Sequence, residues 1–536
     1  MLIIYLIISL LFFLLAYIIY GKYLIKKFEL NDENPTPAHS MKDNVDFIPT
    51  RPIVLLGHHF SSIAGAGPII GPIMAAAMFG WFPAFLWIII GTIFFGGVHD
   101  YSSIVISIRH KAKSIAEIIK EYLGIFPYKM FLFFIWLTLV YVLIVFLDLT
   151  AITFVQKGSV ATASIVYIIL AVLFGFFIYK LKTNFSITTL IFVILIFLTI
   201  IVSQKFPLSF PVFFYNDAKY TADIILIVYA FFASILPVWL LLQPRDYLSS
   251  FLLYSVIIIC IIGLLFGGYK ISYPAFYAFS VNNQSLFPVL FVTIACGAIS
   301  GFHSLVGSGT TSKQLNKEKD AFKIGYGAMI IEGILAILAL ATIMILSKED
   351  ELAKASGPII FSKGISKFLS LFNIPQEYGE SYGLLILSAF LITTLDTATR
   401  ISRYILQEFF NWDIKKTRII ATLLTLILPL IITFTNIKDA QGNPIPAYKS
   451  IWPIFGTTNQ LLAALALLAI TLWLAKIKKN YFFVLLPMIF MLVVTLTSLF
   501  NIMLIYKFTL IGIIDIILFI LAIYLVFLTF KKLYIK

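Results

Sequence analysis

The sequence predicts an all-α integral membrane protein with about 15 transmembrane helices, and three observations lead to that fold class. Hydrophobic residues make up 61% of the chain and charged residues only 12%. The mean hydropathy is +1.02, which is typical of membrane proteins. The longest polar stretches, at about 21–50 and 348–380, have the length of loops. Any chemistry is therefore expected inside the membrane or at its faces, which leaves a transporter, a channel or a membrane-embedded enzyme.

Each predicted span is an apolar run close to the ~20 residues that a helix needs to cross a bilayer. The first run is long and uniformly apolar, and it lacks a basic n-region and a small-residue cleavage site, so we expect a retained helix rather than a signal peptide. In chain order the predicted spans are 2–20, 52–80, 82–108, 128–152, 160–180, 185–203, 221–242, 248–268, 287–307, 321–347, 381–399, 418–436, 451–475, 481–505 and 509–530.

The basic residues predict both the orientation and the lipid partner. Most of the 39 Lys and Arg residues fall on the inner side when the N-terminus is placed outside and the C-terminus inside. They form short clusters beside helix ends, so anionic membrane lipid explains the net charge of +14, and no nucleic-acid partner is expected. The segment 111–124 has the pattern of an amphipathic helix, which either lies on the inner surface of the membrane or packs on the bundle.

The second span contains the stretch GHHFSSIAGAGPIIGPIMAAA, in which glycines and prolines interrupt a helix. In lipid, the backbone groups freed by a break must find partners in the protein, an ion or a ligand. We expect a break at residues 64–68, after which the resumed helix directs free N–H groups and a positive dipole end at a substrate carboxylate. The alternative is that the small residues only allow close helix packing. The candidate substrate-binding residues are Ser61, Ser62, Gly65, Gly67 and Pro68.

Two further interruptions suggest an internal repeat. The segment 295–313, ACGAISGFHSLVGSGTTSK, echoes the Gly, His and Ser pattern and runs in the opposite predicted direction. Pro237 interrupts the seventh span, five spans after the first broken one. Two inverted five-helix repeats, each beginning with a helix broken at mid-membrane, would give this offset. The predicted parts are a first helix with a loop at 1–50, a first repeat at 51–205, a second repeat with loops at 206–416 and peripheral helices at 417–536.

Ionisable side chains within spans are costly and therefore mark functional candidates. Four of the six histidines lie in Gly-rich segments, and imidazole titrates near neutral pH, which suits proton coupling. Asp396 precedes Arg400 at helical spacing, so a structural ion pair and a coupling role are both open. The candidate coupling-ion residues are His58, His59, His99, Asp100, His303, Ser304, Thr310, Thr311 and Asp396, whereas the roles of Asp148, Glu332 and Asp515 stay open.

Five motifs in the same order make the chain resemble the carbon starvation protein family over about residues 50–475. They are GHHFSSIAGAGPIIGP, GGVHDYSS, ACGAISGFHSLVGSGTT, TTLDTATRISRYILQE and WPIFGTTNQLLAALAL. That family is similar to the amino acid/polyamine/organocation superfamily, so the resemblance implies a LeuT-like core of five-plus-five inverted repeats. It also implies transport of peptides or, in some members, of pyruvate with protons.

We therefore expect a secondary active transporter, and not an enzyme, in a prokaryotic cytoplasmic (inner) membrane. It would import a small carboxylate, either pyruvate or a short peptide, by proton symport and without a cofactor. Sodium coupling through the hydroxyls of residues 304–311 is one alternative. Another is a membrane-embedded metalloenzyme using His58, His59, His99 and Asp100, which is disfavoured because adjacent helical side chains point ~100° apart.

Overall fold

The structure is a computed structural model that describes most of the chain. The described residues are 2–43, 47–213, 217–237, 240–281, 284–413, 415–435, 446–507 and 510–534. Within them, strands β1 (Ser280–Val281) and β2 (Gln284–Ser285) form a two-stranded antiparallel sheet, and the other regular elements are helices.

The helices that we name are numbered in chain order. The first eleven are α1 (Leu2–Phe28), α2 (Pro37–Ser40), α3 (Pro52–Ile63), α4 (Gly67–Phe79), α5 (Trp81–Arg109), α6 (Ile115–Leu123), α7 (Ile125–Gln156), α8 (Gly158–Tyr179), α9 (Phe185–Lys205), α10 (Ala218–Ile235) and α11 (Leu242–Phe266). They are followed by α12 (Leu286–Thr293), α13 (Gly301–Val306), α14 (Phe322–Met344), α15 (Gly357–Leu369), α16 (Gln376–Phe410), α17 (Arg418–Thr433), α18 (Ala447–Lys476), α19 (Phe482–Tyr506) and α20 (Leu510–Tyr534).

The predicted all-α membrane fold is confirmed. Among the described residues, 12 helices are long and apolar enough to cross a membrane, or up to 13 spans if the bent pair α3 and α4 forms one. The two remaining predicted spans differ from continuous long helices: 287–307 is interrupted, and α17 has only 16 residues.

The longest helices lie at the centre of the bundle. In the most apolar stretch of α16, 94% of residues are buried inside the protein, and in α7 the fraction is 83%. The corresponding fraction is only 33% in α1, α9 and α20. Because lipid tails are as apolar as leucine, exposed Ile, Leu and Phe side chains on these three helices are expected to face the bilayer.

The predicted break at residues 64–68 is present. Helix α3 ends at Ile63, α4 begins at Gly67 with Pro68 in its first turn, and the two are bent by 44°. Proline fits the first turn because its missing N–H would have had no helical partner there. A Cβ at Gly67 would lie 2.5 Å from the Cys296 side chain, so this half-helix end packs tightly against the protein.

The second interrupted element packs directly on the first. Helix α12 ends at Thr293 and α13 begins at Gly301, so residues 294–300 are unwound. A Cβ at Gly71 of α4 would lie 2.6 Å from the Thr293 carbonyl oxygen, and one at Gly297 would lie 3.4 Å from the Cα of Pro68. The two gaps in helical structure therefore meet at one place in the bundle.

Pro237 does not break a span, which corrects the expectation for this residue. Helix α10 ends at Ile235 and the next helix begins at Leu242, and each is long enough to cross a membrane by itself. Leu236 is already extended, at φ −61° and ψ 151°, because a residue that precedes proline avoids the helical conformation. The broken partner of α3 and α4 is thus the α12–α13 element. The division into two inverted repeats stays a prediction.

Two short amphipathic helices lie in regions of mixed polarity, and the sequence predicted one of them. The stretch 348–380, expected to be a loop, contains the mostly buried α15, which packs against α14 and α16. Helix α6 buries its apolar face against α7 and α18, which selects the bundle-packed alternative over a helix lying on lipid. Its first turn is capped by the Ser114 hydroxyl, which accepts the Glu117 N–H at 3.3 Å.

We predict that Gly301→Ala destabilises the protein by about 1–3 kcal/mol, because overpacking at a backbone contact cannot relax by a side-chain movement. A Cβ at this position would lie 2.4 Å from the Asn459 carbonyl oxygen, whereas a Cβ at Gly309 would meet nothing within 4 Å. Thermal unfolding of the purified protein in detergent should show a loss for Gly301→Ala and none for Gly309→Ala. Equal unfolding temperatures would contradict this close packing of α13 on α18.

Candidate functional site

A buried chain of two carboxylates and two imidazoles lies beside the meeting point of the two breaks. Asp100 Oδ1 lies 2.8 Å from His99 Nδ1, and Asp100 Oδ2 lies 2.8 Å from His303 Nδ1. Glu332 Oε2 lies 3.5 Å from His303 Nε2. All four side chains are fully buried. We call these four residues the carboxylate–imidazole chain.

Irregular helices hold the carboxylate–imidazole chain. His99 and Asp100 follow a π-helical turn at Gly91–Gly96 in α5, and His303 belongs to α13, which continues into a π-helical turn at Gly307–Thr311. Glu332 lies in α14, which begins with a third such turn at Phe322–Tyr326. Single π turns are rare and frequently occur at functional sites. The sequence analysis placed His99, Asp100 and His303 among the candidates, and the structure adds Glu332.

The adjacent histidines of α3 contact different groups. His59 Nδ1 lies 2.7 Å from the Thr311 hydroxyl, and His58 Nδ1 lies 3.4 Å from Asp246 Oδ2. Helical spacing sends neighbouring side chains in different directions. Of the four residues of the metalloenzyme alternative, His99 and Asp100 pair with each other, whereas His58 and His59 contact other groups. Among the described residues, no group of three His, Cys, Asp or Glu side chains has the arrangement of a metal site.

Asp396 pairs with an arginine that the sequence analysis did not consider. Its partner is Arg245 of α11 rather than Arg400, and Asp396 Oδ2 also accepts the Tyr229 hydroxyl at 2.6 Å. Arg245 in turn lies 2.9 Å from Asp246 Oδ1. The pair Arg245–Asp246 lies between two apolar runs, where charged residues typically indicate a loop at the membrane edge, so its burial had no sequence signal.

The hydroxyls around the first break fall into two classes. Ser62 donates to the His58 carbonyl at 2.8 Å, as a helical serine commonly does. Ser61 and Thr394 are buried, and neither hydroxyl has a hydrogen-bond partner among the described residues. A Cβ at Gly65 would lie 3.1 Å from the Thr394 hydroxyl, so Thr394 faces the break. Thr394 was not among the predicted site residues, because a mid-helix threonine has no distinctive pattern.

The three hydroxyls proposed for sodium have different hydrogen-bond partners. Ser304 donates to the Gly301 carbonyl at 2.7 Å, and Thr310 donates to the Val306 carbonyl at 2.9 Å. Both hydroxyls therefore donate within their own helical segment, while the Thr311 hydroxyl contacts His59.

The unwound segment 294–300 is held by two amides of α18. The side-chain oxygen of Asn459 accepts the Phe302 N–H at 3.0 Å, and its amide nitrogen donates to the Ser300 hydroxyl at 3.0 Å. Gln460 donates to the Phe291 carbonyl at 2.8 Å. These residues belong to the motif WPIFGTTNQLLAALAL, where two consecutive amides inside an otherwise apolar helix were a signal of buried hydrogen bonding.

A cavity of about 760 Å³ opens at one face of the bundle, between the ends of α3, α8, α10, α11 and α16. His58 lies at its wall and is 14% exposed. Among the described residues that line it, the histidine, lysine and arginine side chains are His58, Lys180, Arg400, Arg403 and Arg418, and none of the lining residues is acidic. We call this cavity the vestibule.

At the opposite end of α10, an ion-pair cluster joins three helices. Lys219 Nζ lies 2.6 Å from Asp148 Oδ1 and 2.9 Å from Asp223 Oδ2. Asp148 also accepts the Tyr448 N–H of α18 at 2.9 Å. Asp148 thus connects α7 to α10 and α18. Asp515, the third residue of open role, is buried in α20, and neither carboxylate oxygen has a hydrogen-bond partner among the described residues.

Comparison with known proteins gives the chain a set of relatives. A family model described as carbon starvation protein CstA matches residues 1–355 and 347–498. The peptide transporter CstA of Bacillus subtilis is 34% identical over 85% of this chain and 82% of that protein. The pyruvate/proton symporter BtsT of Escherichia coli is 30% identical over 91% of this chain and 80% of that protein.

One solved structure with a partly similar backbone is the manganese transporter of Eremococcus coleocola in complex with an aromatic bis-isothiourea substituted compound. It is 12% identical, with a TM-score of 0.45 over 92% of this chain and 99% of that chain.

We predict that Asn459→Leu lowers the free energy of unfolding by about 1–3 kcal/mol, because it leaves the buried Phe302 N–H without a partner. Thr458→Val is the matched control, since among the described residues the Thr458 hydroxyl donates only within α18, to the Ile454 and Phe455 carbonyls. Thermal unfolding in detergent measures both variants. If Asn459→Leu unfolds at the same temperature as Thr458→Val, the amide does not hold the unwound segment.

Proposed function

This chain belongs to the carbon starvation protein family, and from that premise we propose that it imports a small carboxylate nutrient together with a proton. Peptide transport and pyruvate–proton symport are the activities named for its relatives, and both kinds of substrate carry a carboxylate. The chain is a multi-pass membrane transporter. We propose that it resides in a prokaryotic cytoplasmic membrane with its N-terminus outside and its C-terminus inside.

The observation that carries the proton assignment is the carboxylate–imidazole chain. Asp100 and Glu332 bring two potential negative charges into a fully buried site, and His99 and His303 can each take up one proton. Unbalanced charge is expensive in such surroundings. The free energy of the site therefore depends strongly on its number of bound protons, as a proton-coupling site requires. The contact of His303 with both carboxylates makes this residue the centre of the proposal.

The position of this chain links protonation to conformation. His303 is in the first turns of α13, directly after the unwound segment, whereas Asp100 and Glu332 are on the continuous helices α5 and α14. A change of proton number alters the attraction between the broken and the continuous helices. This is the kind of differential interaction that a two-state transporter needs.

The same structure supports alternating access. The vestibule opens at one end of α10, and the cluster of Lys219, Asp148 and Asp223 joins helices at its other end. With the N-terminus outside, the vestibule faces the cytoplasm. We propose that this is the inward-facing state, in which the Lys219 cluster closes the outer side.

The proposed place for the substrate carboxylate is the first break. The Ser61 and Thr394 hydroxyls are buried without partners there, and the N-terminus of α4 contributes a positive dipole end. Gly65, Gly67 and Pro68 shape this gap, and Cys296 contacts Gly67. A Gly67 variant would therefore test packing as well as binding. Sodium coupling through the hydroxyls of Ser304, Thr310 and Thr311 stays the alternative.

We predict that Asp100→Asn and His303→Gln still exchange substrate but no longer accumulate it against an imposed pH gradient. An amide keeps hydrogen bonding but cannot take up the proton. One pH unit corresponds to about 1.36 kcal/mol, so symport of one proton with one anion should support about tenfold accumulation in the parent. Counterflow and gradient-driven uptake of labelled pyruvate and dialanine in proteoliposomes measure the two activities.

The control for the coupling variants is His39→Gln, since His39 is exposed and contacts Asn316 away from the bundle interior. It should accumulate substrate as the parent does. The coupling proposal fails if Asp100→Asn and His303→Gln also accumulate normally. Uptake by the parent that is driven by a sodium gradient alone would favour the hydroxyls of residues 304–311.

We predict that Ser61→Ala weakens substrate binding about 10- to 100-fold, since a hydrogen bond to a charged group contributes about 1.5–3 kcal/mol. Ser62→Ala is the matched control, because the Ser62 hydroxyl already donates to the His58 carbonyl. Equilibrium binding of labelled pyruvate or dialanine to purified protein distinguishes the two. Equal affinities of both variants would place the carboxylate elsewhere.

A further inference from the structure

We propose that three arginines at the vestibule wall form a second binding site for the transported carboxylate, separate from the first break. They are Arg400 and Arg403 of α16 and Arg418 of α17, and we call them the arginine cluster. The inference rests on the proposed function, because its occupant is the carboxylate substrate of that transport. The site would hold the anion on its way between the central break and the vestibule face.

The arginine cluster surrounds the C-terminal end of α10. Arg400 donates to the Ala233 carbonyl at 2.7 Å, and Arg403 donates to the Ser234 carbonyl at 2.5 Å. Arg418 donates to the Ile235 carbonyl at 3.2 Å. All three guanidinium groups therefore approach the same turn of one helix, next to Pro237.

Capping of the C-terminal end of α10 does not by itself account for the positive charge of the arginine cluster. The C-terminal end of a helix is equivalent to about −0.5 of an elementary charge. The guanidinium groups of Arg403 and Arg418 bring two full positive charges, since arginine stays protonated in proteins. The described residues that line the vestibule include no carboxylate, and no ion pair within the described residues joins Arg403 or Arg418 to an acidic side chain. These two arginines therefore carry a surplus of positive charge.

Two of these guanidinium groups have a buried N–H group without a hydrogen-bond partner among the described residues. Arg403 is only 1% exposed, and its Nε has no hydrogen-bond partner among the described residues. The Nε of Arg418 is likewise buried without a partner. A buried charge is costly unless it is paired, and the planar guanidinium fork matches the two oxygens of a carboxylate. A carboxylate in the vestibule would satisfy both the charge and the free N–H groups.

The vestibule has the size and lining of a small-molecule site. Its volume of about 760 Å³ is within the usual range of ligand pockets. Aromatic residues such as Phe174 and Tyr247 share its wall with the arginines, and His58 connects it to helix α3 next to the break. A small organic acid would find apolar contact for its body and basic contact for its carboxylate. Anionic phospholipid could offer similar charge, and the experiment below separates the two sources.

The test is sided transport of labelled pyruvate in vesicles of phosphatidylcholine alone, which contain no anionic lipid. We expect Arg418→Gln and Arg403→Gln to raise the KM measured from the vestibule face about tenfold, because each variant loses a charged hydrogen bond to the carboxylate. The KM measured from the opposite face should stay unchanged. Arg418→Lys should recover part of the vestibule-face affinity, because it keeps the charge without the fork. Salt should raise the vestibule-face KM of the parent more than that of the Gln variants.

Arg109→Gln is the matched control. Arg109 is also at the inner end of its helix, but it pairs with Glu318 at 3.0 Å and does not line the vestibule. Its KM should equal that of the parent on both faces. Thermal unfolding verifies that each variant is folded.

Three results would overturn the proposal. The first is an unchanged vestibule-face KM in both Gln variants, and the second is an equal rise on both faces, which would mean a general structural effect. The third is an effect that occurs only when anionic lipid is added, which would make the lipid headgroup the occupant.

Failure of the proposed function has a different signature, namely a parent protein that transports neither pyruvate nor dialanine. In that case thermal stabilisation of the purified parent by pyruvate decides the site. Stabilisation that is lost in Arg418→Gln and kept in Arg109→Gln supports a carboxylate site at the arginine cluster, and its absence rejects one.

Discussion

The two helix breaks impose the constraint on which the rest of this structure depends. Each break frees backbone N–H and C=O groups inside the membrane, where no water is available to bind them, so the protein itself must provide partners. The breaks lie against each other, at residues 64–66 and 294–300, and the amides of Asn459 and Gln460 hold the second one. Small residues such as Gly71 and Gly301 are needed because the backbones approach so closely. These hydrogen bonds and close contacts give the non-helical region a defined structure.

The buried carboxylates Asp100 and Asp396 also have partners close by in the protein. Asp100 has imidazole partners on both oxygens, and Asp396 has a guanidinium and a phenol hydroxyl. These clusters link broken or short elements to long continuous helices. The proposed coupling of proton number to helix position would act through these direct contacts. Buried pairs of this kind add little to stability by themselves, since the cost of desolvation offsets their attraction. In the proposed mechanism they make the arrangement of the helices depend on the state of charge.

The charged groups at the two ends of α10 differ. At its first turn, Lys219 is held between Asp148 and Asp223 in a closed cluster. At its last turn, arginines from α16 and α17 surround the carbonyls beside an open vestibule. One helix thus has a lysine between two carboxylates at one end and three arginines at the other.

The sequence by itself determined the features that depend on composition and local backbone chemistry. Apolar runs of bilayer length predicted the helical membrane fold, and the Gly-Pro pattern predicted the break at 64–68, because both follow from the solvent that surrounds each segment. It also selected His99, Asp100 and His303 as unusual residues for a span. Only the tertiary structure decided the partners. Glu332 of α14 contacts His303 of α13, and Arg245 rather than Arg400 pairs with Asp396. Pro237 follows the end of a helix and does not break a span. Pairing across a bundle depends on how helices pack and rotate against each other, and a single segment contains no information about the neighbour it will face.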